Sequence, residues 1–133
     1  MKYLIDPLKH HYFDFKGRVT RKQFWIFLVF IILAGFVAGM IDAFIMYGLT
    51  GSLLWAIEYS EPWITTPFVL LVFIPVMAMT ARRLHDANRS GWWQLLLLFP
   101  FLGWFILIAM LMIPSKTANK YGDAPALIEE AIA

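Results

Sequence analysis

The chain has 133 residues, 61% of them hydrophobic, only 15% charged and none cysteine, with a net charge of +2. Soluble domains carry about 45–50% apolar and about 25% charged residues, so this composition excludes a water-soluble globule, and its 17% aromatic content excludes a disordered chain. Disulfides, thiolate metal sites and a thiol nucleophile are excluded by the missing cysteine, and what remains is a small integral membrane protein, 1–133 forming a single domain.

Residues 1–23 come first. Leu4, Leu8, Tyr12 and Phe15 recur at helical spacing, with Pro7 interrupting, which suits a short interfacial segment lying on the inner leaflet. Thr20 and Gln23 have the spacing of a capping box, and Val19 and Phe24 that of a hydrophobic staple, so the first long helix is expected to begin near Arg21. Arg21 and Lys22 oppose the helix dipole there, a small penalty beside the topological signal they carry.

A bilayer core about 30 Å thick needs roughly 20 apolar helical residues. Three stretches meet this, at 24–47, 63–81 and 92–114, and predict an all-α membrane protein with three transmembrane helices. Period-two alternation is missing, which excludes a β-barrel. The first stretch exceeds a signal-peptide core and lacks a cleavage site after it, so it is expected to stay as an anchor. Pro100 and Gly103 interrupt the third stretch. Its length favours a crossing, but it can also dip in and return as two short helices, which changes the side on which the tail, 115–133, lies.

Six Lys or Arg lie in 1–23 and three in 82–91, whereas 48–61 holds none. The positive-inside rule then puts the N-terminus and the 82–91 loop in the cytoplasm. Trp25, Tyr47, Trp63, Trp92 and Trp93 fall at the expected helix ends, as interfacial aromatics do.

Three groups of residues can carry chemistry. Asp42 is the one acid inside a membrane stretch, a cation or proton site by default, yet at about 27 Å along its helix it sits near the outer boundary, with Thr65 and Thr66 as possible partners. Gly35 and Gly39 form a small-xxx-small face shared with Asp42, suited to a homo-oligomer or to packing on the protein's own helices. The loop with Arg82, Arg83, His85, Asp86 and Arg89, flanked by Trp92 and Trp93, is the densest polar cluster. If the second helix continues, Arg82, His85, Asp86 and Arg89 share one face. Its arginines suit phosphate, the nearest being anionic lipid headgroups. Alternatively they only enforce topology, or Asp86 neutralises Arg82 and clamps the turn. Ser90 is placed to cap the third segment. Metal-ligand spacing and a phosphate-binding glycine loop are both lacking, so no cofactor is expected. The basic residues border the bilayer rather than a soluble face, which argues against nucleic acid.

The runs FDFKGRVTRKQFW, RRLHDANRSGWW and NKYGDAP, in that order, resemble the bacterial family called domain of unknown function 805. The resemblance covers nearly the whole chain. It matches Phe15, Gly17, Arg18, Arg21, Phe24 and Trp25, then Arg82, Arg83, Leu84, His85, Asp86, Arg89, Ser90, Gly91 and Trp92, then Pro100 and Gly103, and in the tail Asn119, Tyr121, Gly122 and Pro125. Ala87, Asn88 and Ala124 depart from common family choices without touching a charge in the loop. The resemblance implies a small bacterial inner-membrane protein and no particular activity. The candidate headgroup- or partner-binding set is Arg18, Arg21, Arg82, Arg83, His85, Asp86, Arg89, Trp92, Trp93, Asn119 and Tyr121, and if the three runs build one site the tail must return to the cytoplasmic side.

Three functions compete on these residues. A non-catalytic adaptor or regulator would bind anionic phospholipid or another membrane protein through the basic face. An oligomeric channel or transporter subunit would use Gly35, Gly39 and Asp42. A lipid-headgroup enzyme would use His85 as base, oriented by Asp86. The first is favoured, because catalytic machinery is missing around the histidine.

Overall fold

The computed structural model describes residues 8–58, 62–115 and 118–123. The described helices are α1 (Arg21–Thr50), α2 (Leu53–Glu58), α3 (Thr65–Asp86), a 3-10 helix (Gly91–Leu98) and α4 (Leu102–Met112). By length and composition, α1 and α3 are long and apolar enough to cross a membrane, and α4 is a shorter apolar helix. The chain divides into two compact units, one made of 1–27 with 74–133, the other of 28–73.

In the first unit, residues 10–20 are turn and extended chain rather than helix, and Leu4 lies outside the described residues. At Thr20 the capping box forms. The Gln23 N–H donates to the Thr20 hydroxyl at 3.3 Å, and the Thr20 N–H donates to Gln23 Oε1 at 3.1 Å. Val19 and Phe24 are both buried, and α1 starts at Arg21.

Helix α3 runs beyond the expected 63–81 and ends in a Schellman motif. The Arg89 N–H donates to the Leu84 carbonyl at 2.8 Å and the Asn88 N–H to that of His85 at 2.9 Å. This turn needs a left-handed residue, and Asn88 supplies it with φ of 60°. The helix therefore stops before Arg89, which leaves the face shared by Arg82, His85 and Asp86.

The single helix expected over 92–114 is broken. Ser90 caps the 3-10 helix by accepting the Trp92 N–H at 3.4 Å. Eight residues is long for this helix type. It ends at Phe99, and a γ-turn centred on Phe101 (φ 63°, ψ −79°) reverses the chain. There the Leu102 N–H reaches the Pro100 carbonyl at 2.9 Å. Pro100 lacks an N–H to continue either helix. Gly103, Leu107 and Leu111 form the buried stripe of α4. Gly103 allows the close return, since a Cβ there would lie 2.1 Å from the Leu96 carbonyl oxygen.

Both ends of 91–113 come back to the end of α3. A Cβ on Gly91 would lie 3.1 Å from the Ala81 Cβ, and the last carbonyls of α4 are held by Arg83 and Arg21. The two legs have similar lengths, about 16 Å for eight 3-10 residues and about 17 Å for eleven α residues.

In the second unit, buried Asp42 caps α3 from a neighbouring helix. Its Oδ1 accepts the Ile64 N–H at 2.7 Å and its Oδ2 the Thr65 N–H at 2.9 Å. These are N–H groups that a helix start leaves unpaired, and the helix dipole favours a carboxylate there. Gly35 lies against Phe68, with a Cβ there 3.4 Å from the ring, and Gly39 faces the Thr65 hydroxyl. Asp42→Ala is expected to cost about 1–2 kcal/mol, the upper range for loss of a cap, read as a lowered Tm in detergent; an unchanged Tm would remove the capping role.

Candidate functional site

The polar residues of the first unit gather on Asp86. Its Oδ1 accepts from Arg18 Nε at 3.0 Å and Nη2 at 2.9 Å. Its Oδ2 accepts from Arg83 Nη1 and from the Ser115 hydroxyl. The Arg18 side chain is 2% exposed, and those of Arg83 and Asp86 are 0% exposed. Two guanidinium groups thus face one carboxylate in the interior, and carbonyls supply the remaining partners. Arg18 Nη1 donates to Gly122 O at 2.9 Å and Asp123 O at 3.0 Å. Arg83 Nε donates to Leu111 O at 3.0 Å and Nη2 to Ile113 O. Arg21 Nη1 adds a bond to Met112 O at 3.2 Å. Arginine suits this role because its fork of donors spans a carboxylate and several carbonyls at once, and the α4 carbonyls it reaches are those a helix end leaves without partners.

The tail closes the cluster. Asn119 Nδ2 donates to the carbonyls of His85 at 2.9 Å and Asp86 at 3.2 Å. Its Oδ1 accepts the Tyr121 N–H at 2.9 Å. A tight antiparallel bridge joins Asn119 to Gly122, whose φ of 124° favours glycine. The Tyr121 ring stacks on His85 with centroids 4.0 Å apart, and Lys120 Nζ lies 5.0 Å from the Tyr121 ring centre.

All three sequence runs therefore meet, through Arg18, through Arg83 and Asp86, and through Asn119 and Tyr121. The acid's partners are Arg83 and Arg18 rather than Arg82. Arg82 is itself buried; its Nε reaches the Ala78 carbonyl at 3.4 Å, while its Nη2 has no hydrogen-bond partner among the described residues. The charge of Arg82 acts on Asp14. Burial works against the Asp14 carboxylate, but the Lys16 N–H, the His11 ring and Arg82 more than offset it and hold its pKa below the usual value. The His85 ring takes no bond from Asp86, whose oxygens go to Arg18, Arg83 and Ser115. No group of three metal-ligating side chains occurs among the described residues. Ser115 escaped the sequence reading, since a lone serine after a proline carries no signal of its own.

Outside this cluster the basic side chains differ. Lys16, Lys22, Arg89 and Lys120 are exposed. Next to Arg89, an apolar groove of about 230 Å³ runs along the 3-10 helix, lined by Ser90, Trp92, Trp93, Leu95, Leu96 and Phe99.

Comparison with known proteins places most of the chain in one family. The family model described as "Protein of unknown function (DUF805)" matches residues 12–123. Inner membrane protein YhaH of Escherichia coli strain K12 is 38% identical over 128 residues, covering 96% of this chain and 98% of that protein. Inner membrane protein YhaI of the same strain is 32% identical over 126 residues, covering 94% and 96%. Uncharacterized protein YiiR of that strain is 34% identical over 96 residues, 71% of this chain and 54% of that protein. No solved structure matches. With its family model matching residues 12–123 and two relatives aligned almost end to end, the chain belongs to the DUF805 family, as an integral membrane protein.

Proposed function

We propose that the chain is a non-catalytic protein of the bacterial inner membrane that holds anionic phospholipid at its cytoplasmic face. Helices α1 and α3 cross the bilayer, and the 91–113 hairpin enters from the cytoplasmic side and returns. The relatives named inner membrane proteins support the location. Three observations support the hairpin: each leg is about half of a 30 Å core, both ends pack at the C-terminal end of α3, and the apex residues Phe99, Phe101 and Leu102 are exposed and apolar. The tail then lies beside the N-terminus, on the side rich in Lys and Arg.

The observation that carries the lipid reading is the split among the basic residues. Arg18 and Arg83 are consumed by Asp86 and backbone carbonyls, so their role is to hold the fold. Lys16, Lys22, Arg89 and Lys120 remain exposed. Charges of this kind attract anionic headgroups by about 1 kcal/mol each. The packing of Gly35 and Gly39 against Phe68 and Thr65 gives the small-residue face an occupant within the chain, which weakens the oligomeric channel.

Two measurements test this. A reporter fused after Ala133 is expected to read cytoplasmic, and a periplasmic reading would eliminate the returning hairpin. Purified protein is expected to retain phosphatidylglycerol or cardiolipin in native mass spectrometry. Neutralising Lys16, Lys22, Arg89 and Lys120 together is expected to strip it, and equal retention would remove the lipid reading.

A further inference from the structure

The groove on the 3-10 helix has a shape that an α-helix would not give. In a 3-10 helix, side chains at i and i+3 eclipse one another instead of spiralling. Trp93 and Leu96 therefore line up in one row, flanked by the caps Ser90 and Phe99, and Trp92 and Leu95 in the next. The furrow between the rows lies on a helix about 16 Å long, comparable with the depth of one leaflet's hydrocarbon. Its lining is apolar apart from Ser90 at one end.

The same end carries charge. Arg89 precedes Ser90, is exposed, and has no carboxylate within ion-pair distance among the described residues. The Schellman turn at Asn88 puts it there, off the face of α3 and away from Asp86. Trp92 and Trp93 flank the same end, residues that settle at headgroup depth. A cation at the headgroup level, followed by an apolar furrow on a helix one leaflet long, complements an amphiphile with an anionic head and an extended chain.

We propose that one acyl chain of an anionic phospholipid lies in this furrow, between the Trp93–Leu96 row and the Trp92–Leu95 row, with its phosphate on Arg89. The proposal rests on the lipid reading above and narrows it from a basic face to one seat.

The test uses the full chain in lipid discs doped with phosphatidylglycerol or phosphatidylcholine, each carrying a photoactivatable group in one acyl chain, with labelled residues mapped by peptide mass spectrometry. Phosphatidylglycerol is expected to label residues 92–99 more densely than the exposed apolar face of α1. Arg89→Gln, at an exposed site whose substitution leaves the packing intact, is expected to lower that labelling about fivefold, the effect of one surface cation, and to leave phosphatidylcholine labelling unchanged. Leu95→Trp, which fills the furrow from an exposed position, is expected to displace the label in both lipids. Equal labelling of α1 and the furrow, or no preference for phosphatidylglycerol that Arg89→Gln removes, would overturn the seat. If phosphatidylglycerol is still retained in native mass spectrometry, only the seat fails; if none is retained, the wider lipid reading fails with it.

Discussion

Asp86→Asn is expected to leave little folded protein. The substitution keeps the size of the side chain but removes the charge facing Arg18 and Arg83, which are 2% and 0% exposed. A buried cation without its counter-charge costs about 3–5 kcal/mol, a large share of the roughly 5–15 kcal/mol by which a typical domain is stable. The loss also spreads, because the same carboxylate holds the Ser115 hydroxyl and, through Arg18, the carbonyls of Gly122 and Asp123. Fluorescence-detected gel filtration should show a collapse in monodisperse protein and a marked fall in Tm. Arg89→Ala, exposed and outside the cluster, should stay within about 0.5 kcal/mol of the parent. Replacing Arg18, Arg83 and Asp86 together by Met, Met and Leu should recover part of the loss, since an apolar set of similar volume often matches a buried ionic one. An Asp86→Asn protein with the parental Tm would show that the cluster does not hold the fold.

What the sequence made readable follows the range of each interaction. The start of α1 was legible because Thr20 and Gln23 sit three residues apart and satisfy each other's backbone. The end of α3 was not, because it turns on the single left-handed residue Asn88, a conformation asparagine accepts but does not announce. The partner of Asp86 was ambiguous for a different reason. Arg82 at i−4 and Arg83 at i−3 are both within reach on a helix, and only the position of α4 decides, by offering Leu111 O and Ile113 O to Arg83. Arg18, 68 residues away, has no local signal at all; the resemblance marked it as a family position without naming its partner. Pro100 and Gly103 marked the break in the third apolar stretch. Whether the chain crosses or returns there could not be read, since hydropathy counts apolar residues without recording direction.

Gly103→Ala is expected to undo that return, because the obstruction is backbone. A methyl group on residue 103 would lie 2.1 Å from the Leu96 carbonyl oxygen, 3.0 Å from its carbon and 3.1 Å from the Phe99 Cβ. The carbonyl cannot swing aside without breaking the bond it accepts from the Phe99 N–H at 3.0 Å, the last of the 3-10 helix. Overpacking of this kind costs about 1–3 kcal/mol and more where nothing yields, so a fall in Tm at or beyond that range is the expected reading. Gly48→Ala is the control. It lies in α1 with open space around a would-be Cβ, and alanine there should raise stability by roughly 0.5–1 kcal/mol. Opposite signs for the same chemical change would trace the effect to the hairpin rather than to glycine as such. The two largest effects should also be coupled. Arg83 donates to carbonyls at the far end of α4, so opening the hairpin at Gly103 already removes those partners and lets water reach the guanidinium that Asp86→Asn would otherwise leave buried without its counter-charge. The double variant should therefore lose less than the two single losses added together; strict additivity would mean that the hairpin and the Asp86 cluster hold independently of each other.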